Sequence, residues 1–427
     1  MALDVGLVKK NRSVCFEAIL TQSSIYQLTM SSVCIGTVRK AMATQTTRQL
    51  CKRYLTVMLA LLSSVCWLFV SAYAVPYGTY VVTNTLHIPL GTRLYGEAQP
   101  VILGSHPKFN DSSAPIPVIQ VGRPGDMGEL VICDMIFSTR GPAAGAIIVE
   151  WNVHEATQGS AAMFDSHIRV GGFRGTDLEI SECPKEAPLN ALPRASCLNL
   201  HLTKTASGYF QNVWVWTADH ELDIGAPAQI NVLSERGVLI ESQGPVWMYG
   251  TASEHHLLYQ YSLVQAHNVL LAMIQTESPY FQGQAFAPAT ENVCVLAHFP
   301  DPNCSRRYMA GPEIPPWSYN KGLEDRSLGL HMNACNDIFV LGAGLYSFFD
   351  SYRQDSLSEH ACQRRLCTID DAGEQSNNIW MVNLATVGSQ TLVSLGGYDW
   401  LLEAPHREGF CSTLALCGLT RGNKMLI

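Results

Sequence analysis

The sequence predicts an all-β chain wound as a right-handed parallel β-helix, preceded by an N-terminal signal or anchor segment. Three observations lead there. Of 427 residues only 15% are charged and 47% are hydrophobic, with 33 Gly and 21 Pro, the composition of a large globular body that leans towards β structure. No amphipathic helical run of a dozen residues survives the Gly and Pro spacing. Two acids in one strand-rich window, Glu254 and Glu277, lie 23 residues apart, close to one solenoid coil, and positions one coil apart stack on rungs ~4.8 Å apart.

From the N-terminus, residues 1–53 are basic: eight Lys or Arg stand against Asp4 and Glu17. The whole chain carries −8, so the remainder carries −14. An acidic body disfavours nucleic acid and anionic polymers, whose recognition needs a basic surface, and is compatible with a neutral polysaccharide. Residues 54–74 follow as an apolar segment: Lys52-Arg53, the run Tyr54–Val70, then Ala72-Tyr73-Ala74. Basic flank, apolar core and small-x-small end are the parts of a secretory signal. A start at Met42 places it correctly, with cleavage after Ala74; the alternative is a signal-anchor, a membrane anchor through residues 54–70. Both put the body outside the cytosol.

Residues 75–427 are expected to form the β-helix. Short β runs broken by Gly, Pro, Asn and Asp recur, among them Leu130–Phe137, Ala146–Trp151, His167–Val170, Tyr209–Thr217, Ile230–Leu233, Gly237–Glu241 and Val246–Tyr249. Many are apolar on both faces, as strands buried within a solenoid are. Asn212, Asn268 and Asn336-Asp337 recur before strands as turn-side residues. The pattern alone also admits a β-sandwich or a propeller. Two irregular regions, 284–327 and 351–377, interrupt the runs and are expected to be loops walling a binding face or pinned on the surface. Ten of the 14 Cys follow the apolar segment. In an oxidising compartment Cys183/Cys197, Cys294/Cys304 and Cys362/Cys367 read as disulfide clips. No ligand spacing suggests a metal and no motif suggests a cofactor. Asn110 and Asn303 begin glycosylation sequons.

From Gly78 to about Leu419 the blocks GTYVVTNTLHIPLGTRLYGEAQPVILGS, RGPAAGAIIVEWNV, LTKTASGYFQNVWVWTADHELD, LIESQGPVWMYGTASEHHLLYQY, MIQTESPYFQG, GAGLYSFFD and EGFCSTLAL occur in order. In them the chain resembles the second half of fungal family 55 glycoside hydrolases, the β-1,3-glucanases of the pectate-lyase-like superfamily. The resemblance implies an extracellular enzyme that cleaves β-1,3-glucan from an end with inversion, and a family architecture of two tandem β-helices. The first helix of that pair has no counterpart here, so part of a cleft wall is expected to be missing.

Inverting hydrolysis needs a protonated acid at the leaving oxygen and a second group activating water on the opposite face, ~6.5–9.5 Å away. Glu277, in QTESPY, is the expected general acid, with Pro279, Tyr280 and Phe281 supplying apolar surroundings that raise a carboxyl pKa. Glu254, in ASEHH, is expected to activate water, with His255 beside it. Asp219 and Glu221, in WTADHELD, form a rival acid cluster that binds sugar hydroxyls or serves turn chemistry. Trp216, Trp247, Tyr249, Tyr280, Tyr346 and Phe348 are candidates for stacking on pyranose faces, or for core filling. Glu150, Trp151 and His154 fit the same cleft more weakly. No basic set is placed to abstract a sugar proton, which disfavours a lyase.

Overall fold

Consecutive strands of this chain pair in parallel with the strand one coil later, and that single rule generates a β-helix. The computed structural model describes residues 72–224, 227–283, 326–370, 375–396, 398–420 and 423–426, all within one unit, Trp67–Ile427. The basic stretch, the apolar run Tyr54–Val70, most of region 284–327 and the pair Cys294/Cys304 lie outside the described residues. Ala72-Tyr73-Ala74 opens the first strand, Ala72–Val75, which pairs in parallel with Arg93–Gly96. Among the described residues the helical elements are short 3-10 turns alone, and no helix is long and apolar enough to cross a membrane.

One face of the coil is a parallel sheet running through Leu86–Ile88, Ile116–Val121, Ala146–Trp151, Arg194–Leu202, Leu233–Ile240, Tyr259–Val264, Leu328–Asn333 and Cys367–Asp370. Every residue of Ala146–Trp151, Leu233–Ile240 and Tyr259–Val264 is buried, as strands covered on both sides require. Two further faces meet at a bend. Before it run Ala161–Phe164, Gly208–Gln211 and Val246–Tyr249; after it run His167–Val170, Trp214–Thr217 and Ala252–Glu254. His267–Glu277, Asn336–Tyr346 and Asn377–Val387 each span both. Cys411–Thr420 then pairs antiparallel to Asn377–Val387, and Asn423–Leu426 pairs antiparallel to it in turn.

A ladder of left-handed residues makes the bend. Asp134, Asp165, Asn212, Gly250, Met273, Gly342 and Asn383 all have φ between 46° and 72°. Asn212 Nδ2 donates to Asp165 Oδ1 of the preceding rung at 2.7 Å, and on a second ladder Asn378 Nδ2 donates to Asp337 Oδ1 at 2.6 Å. Asn and Asp tolerate this conformation because their short polar side chains bond locally. These bends split the expected runs Leu130–Phe137 and Tyr209–Thr217 into two strands each, at Asp134 and Asn212. Conversely, Ser234-Glu235-Arg236, expected to separate two runs, lies inside the one strand Leu233–Ile240. Its charges are buried but paired: Arg236 Nη1 meets Glu235 Oε2 at 2.6 Å, and Arg194 meets Glu235 Oε1 at 3.4 Å, which offsets the desolvation. Region 351–377 is likewise not one loop, since Gln363–Arg365 and Cys367–Asp370 join the sheet.

Two expected disulfides are absent. Cys183 is a buried free thiol whose pKa burial and Glu182 push up to about 12, whereas Cys197 sits mid-strand beside Arg236 Nη1 at 3.6 Å. Cys362 and Cys367 are also free thiols. The first lies 3.2 Å from Ser356 Oγ; the second points at Met381 Sδ, 3.9 Å away. Five residues of sequence separate the pair, but the two sulfurs face different neighbours.

At Asn212 (φ 53°) a β-branched residue is disfavoured in the left-handed region. Both variants lose the bond to Asp165; Asn212→Val is expected to lose about 1–2 kcal/mol more than Asn212→Gly, which enters that region freely. Urea unfolding of the two variants decides it; equal losses would show that the bend does not select this conformation.

Candidate active site

The register places the two acids face to face along the axis. Ala252–Glu254 pairs with the second half of His267–Glu277 so that Glu254 is the direct partner of Glu277. Arg169, Trp216, Glu254, Glu277 and Tyr346 therefore occupy successive rungs of one column. Residues two positions earlier on each strand share that face: Trp214 pairs with Ala252, and Ala252 with Gln275.

Glu254 is held at both oxygens. Trp214 Nε1 donates to Oε2 at 2.9 Å and Gln275 Nε2 to Oε1 at 3.0 Å. Both donors lack an accepting lone pair at those atoms, so they orient the ionised form. Burial pushes the other way and raises the pKa of Glu254, opposed by the neighbouring His255 and reinforced by the charge of Glu277. The result is a carboxyl group fixed in position with its pKa raised.

His255 follows directly, in the left-handed region with φ 68°, and its N–H donates to the Glu277 carbonyl at 2.8 Å. Such a conformation at a non-glycine residue costs about 1–3 kcal/mol. It turns the imidazole between carboxylates: Nδ1 lies 3.1 Å from the Thr217 carbonyl and 3.7 Å from Asp219 Oδ1, and Nε2 lies 3.8 Å from Glu277 Oε1. The carbonyl accepts only, so Nδ1 carries a proton. The Nε2 contact exceeds hydrogen-bonding distance and acts through charge. Burial alone would lower the pKa of His255; Glu277, Asp219 and Glu254 reverse this and raise it to about 9, so the ring is a cation at neutral pH.

Tyr280 closes this cluster, its ring 4.9 Å from that of His255 and 4.2 Å from that of Phe349. Burial, then the charges of Glu277 and Asp219, push its phenol pKa well up, keeping it a neutral donor beside both carboxylates. Asp219 also meets His220 Nδ1 at 2.5 Å.

Behind the acids the solenoid interior carries a polar hydrogen-bonded network. Asn199 Nδ2 contacts His256 Nε2 at 2.7 Å, and His256 Nδ1 contacts Gln260 Oε1 at 2.7 Å. Gln260 Nε2 continues to Ser327 Oγ at 2.7 Å, and Ser278 Oγ donates to Gln363 Oε1 at 2.8 Å. Burial holds the pKa of His256 down to about 3, so this ring is neutral, donating from Nδ1 and accepting at Nε2. A Cβ on Gly237 would strike the Gln260 carbonyl and the Ser253 hydroxyl, so only glycine lets the neighbouring strand approach. The network braces Ser253, His256 and Ser278, the immediate neighbours of Glu254, His255 and Glu277.

The structure thus brings together Glu254, Glu277, His255, Asp219 and Tyr280. Other expected contacts lie elsewhere. Trp216 is buried, stacked on Trp214 at 4.7 Å with the Arg169 guanidinium 5.5 Å from its ring; it backs the site, and Trp214 is the indole that touches Glu254. Trp247 and Tyr249 sit before the bend, on the adjacent face, where Trp247 meets Tyr209 at 6.4 Å. Glu221 is buried and accepts the Ile180 N–H at 2.9 Å, a turn-stabilising role. Glu150 and Trp151 are buried in the sheet. Trp214 and Gln275 escaped sequence reasoning, although their i, i+2 relation to Trp216 and Glu277 on strands marks them as same-face neighbours. Among the described residues one group has metal-ligand geometry, Cys133, Asp134 and Asp165; it belongs to the bend ladder, not to this site.

Comparison with known proteins places the chain among relatives by sequence. No family model matches the chain. A probable glucan endo-1,3-beta-glucosidase of Arthroderma benhamiae is 39% identical over 80% of this chain and 37% of its own length. A glucan 1,3-beta-glucosidase of Cochliobolus carbonum is 34% identical over 76% of this chain and 39% of its own. The Penicillium expansum protein named non-secreted LysM effector LysM15 is 39% identical over 80% of this chain and 22% of its own. Among solved structures, sacteLam55A from Streptomyces sp. SirexAA-E aligns at 13% identity and TM-score 0.44, over 79% of this chain and 49% of that one. The chain thus spans about two fifths or less of the curated relatives it matches. Over about four fifths of its length the chain is thus similar to curated glucanases, in line with the resemblance to family 55 glycoside hydrolases, and it matches one part of those relatives' length.

Proposed function

We propose that this chain hydrolyses β-1,3-glucan with inversion, Glu277 serving as general acid and Glu254 as the base that activates water. The observation that carries this reading is the pairing of Glu254 with Glu277 on adjacent rungs of one outward face. Long side chains splaying from rungs ~4.8 Å apart reach the ~6.5–9.5 Å separation of an inverting pair. Glu254, fixed by Trp214 and Gln275 with its basicity raised, accepts a proton from water as the water oxygen attacks the anomeric carbon. Glu277 gives its proton to the glycosidic oxygen as that bond breaks, and is left as a carboxylate. The His255 cation, 3.8 Å from Glu277 Oε1, stabilises the negative charge that develops there. Localisation outside the cytosol remains part of the same proposal and rests on the apolar segment 54–70.

A second reading has its own support: the chain matches about two fifths of its glucanase relatives, so it is alternatively a non-catalytic β-glucan-binding protein. Laminarin binding without release of reducing sugar would favour it.

Glu277→Gln removes the transferable proton while keeping shape, and is expected to cut laminarin turnover at least ~10²-fold with binding retained. An aryl glycoside with a good leaving group, needing little protonation, should recover part of the loss. Equal loss on both substrates would reassign the acid.

The charge on His255 also sets a pH dependence of stability. Its pKa of about 9 in the folded chain exceeds the ordinary ~6.5, so its contribution is complete below pH ~6.5 and is lost as pH rises through about 9. The stability difference between the native chain and His255→Asn, a residue that also accepts a left-handed φ, should therefore be largest at pH 6 and fade by pH 9.5. A difference constant across that range in urea unfolding would show that the imidazole is not held charged.

A further inference from the structure

Beyond Glu277 the same column continues into three aromatic rings that the acid chemistry does not use. Tyr346 is the direct strand partner of Glu277 on the next rung. Phe348 lies two residues on, with ring centroids 5.4 Å apart and planes 29° apart. Phe410, which precedes the strand Cys411–Thr420, follows at 6.3 Å with planes 15° apart. The Tyr346 hydroxyl occupies the space where a Cβ on Gly344 would sit, so the ring lies down over a side-chain-free rung. Phe410 is 61% exposed, an unusual state for a large apolar ring unless something covers it.

We propose that Tyr346, Phe348 and Phe410 form a platform on which glucosyl units of the leaving portion of a β-1,3-glucan stack; this rests on the reading of Glu277 as the general acid. Nearly parallel rings in a row offer apolar surface of the kind that matches the C–H faces of a β-linked pyranose. On the adjacent face Tyr209 and Trp247 meet edge-on at 85°, which presents no continuous face. The direction follows from the order of the column. Water and its base, Glu254, lie on one side of Glu277; the platform lies on the other, where the sugar carrying the protonated oxygen departs. Neutral glucan also suits a surface built from two phenylalanines and a tyrosine, with no charge to pair.

The test is calorimetric titration of laminarihexaose into Glu277→Gln protein, with and without Phe410→Ala. Phe410 is largely exposed, so its removal leaves the core intact; circular dichroism confirms the fold, and Phe348→Leu provides a second, milder variant. The platform predicts a Kd raised about tenfold by Phe410→Ala, the scale of one lost aromatic stacking contact. In the Glu277-intact chain, kcat/KM for laminarihexaose should fall several-fold more than for nitrophenyl laminaribioside, whose leaving group is too small to span the rings. Unchanged Kd in both variants overturns the platform and leaves the acid assignment standing. Equal kcat/KM losses on the two substrates overturn the leaving-side placement. Failure of the Glu277→Gln protein to bind laminarihexaose at all overturns both the platform and the glucan reading.

Discussion

The main-chain pairing of parallel rungs is the constraint on which the rest of this structure depends. Each strand after the bend meets the strand one coil later, residue for residue, and main-chain hydrogen bonds set that register. A slip of one residue would turn Glu254 or Glu277 inward and break the column of Trp216, Glu254, Glu277 and Tyr346. The interior polar network, from Asn199 through His256 and Gln260 to Ser327 and Gln363, resists such a slip, because every displaced donor would be left unsatisfied in a dry interior.

The electrostatics follow from the same geometry. Three carboxyl groups, Asp219, Glu254 and Glu277, surround the His255 ring. Without that cation, like charges on neighbouring rungs would favour protonation of one of them. Burial raises the pKa of Glu254, and His255 opposes that rise together with the hydrogen bond from Trp214. The left-handed backbone at His255 is the local strain that puts a ring there, and it persists because the pairing on either side over-determines the turn.

Much of this was legible in the sequence because solenoid spacing is arithmetic. Glu254 and Glu277 were expected one coil apart and are direct partners; Ala146–Trp151, His167–Val170 and Val246–Tyr249 begin and end where their apolar runs do. What failed has specific causes. A bend made by one left-handed residue leaves no gap in an apolar run, so Asp134 and Asn212 were hidden inside strands that read as continuous. Ser234-Glu235-Arg236 read as a break because its charges are satisfied by one another and by Arg194, from the preceding rung. Trp216 and Trp214 are indistinguishable by composition, and only packing against Arg169 decides which one is covered. Trp247 and Tyr249 were lost to the site by the bend at Gly250, which sends them to another face. Cysteine proximity in sequence misled for the same reason: local separation does not show which way each sulfur points.

The account's central claim is that Glu254 and Glu277 act as a pair with water held between base and sugar. The anomeric configuration of the first product tests it most directly, read by proton NMR in the first minutes of laminarin cleavage, before mutarotation. The account predicts that the new reducing end appears as the α anomer and then relaxes towards β. A β anomer at the earliest times, or no new reducing end, would contradict it.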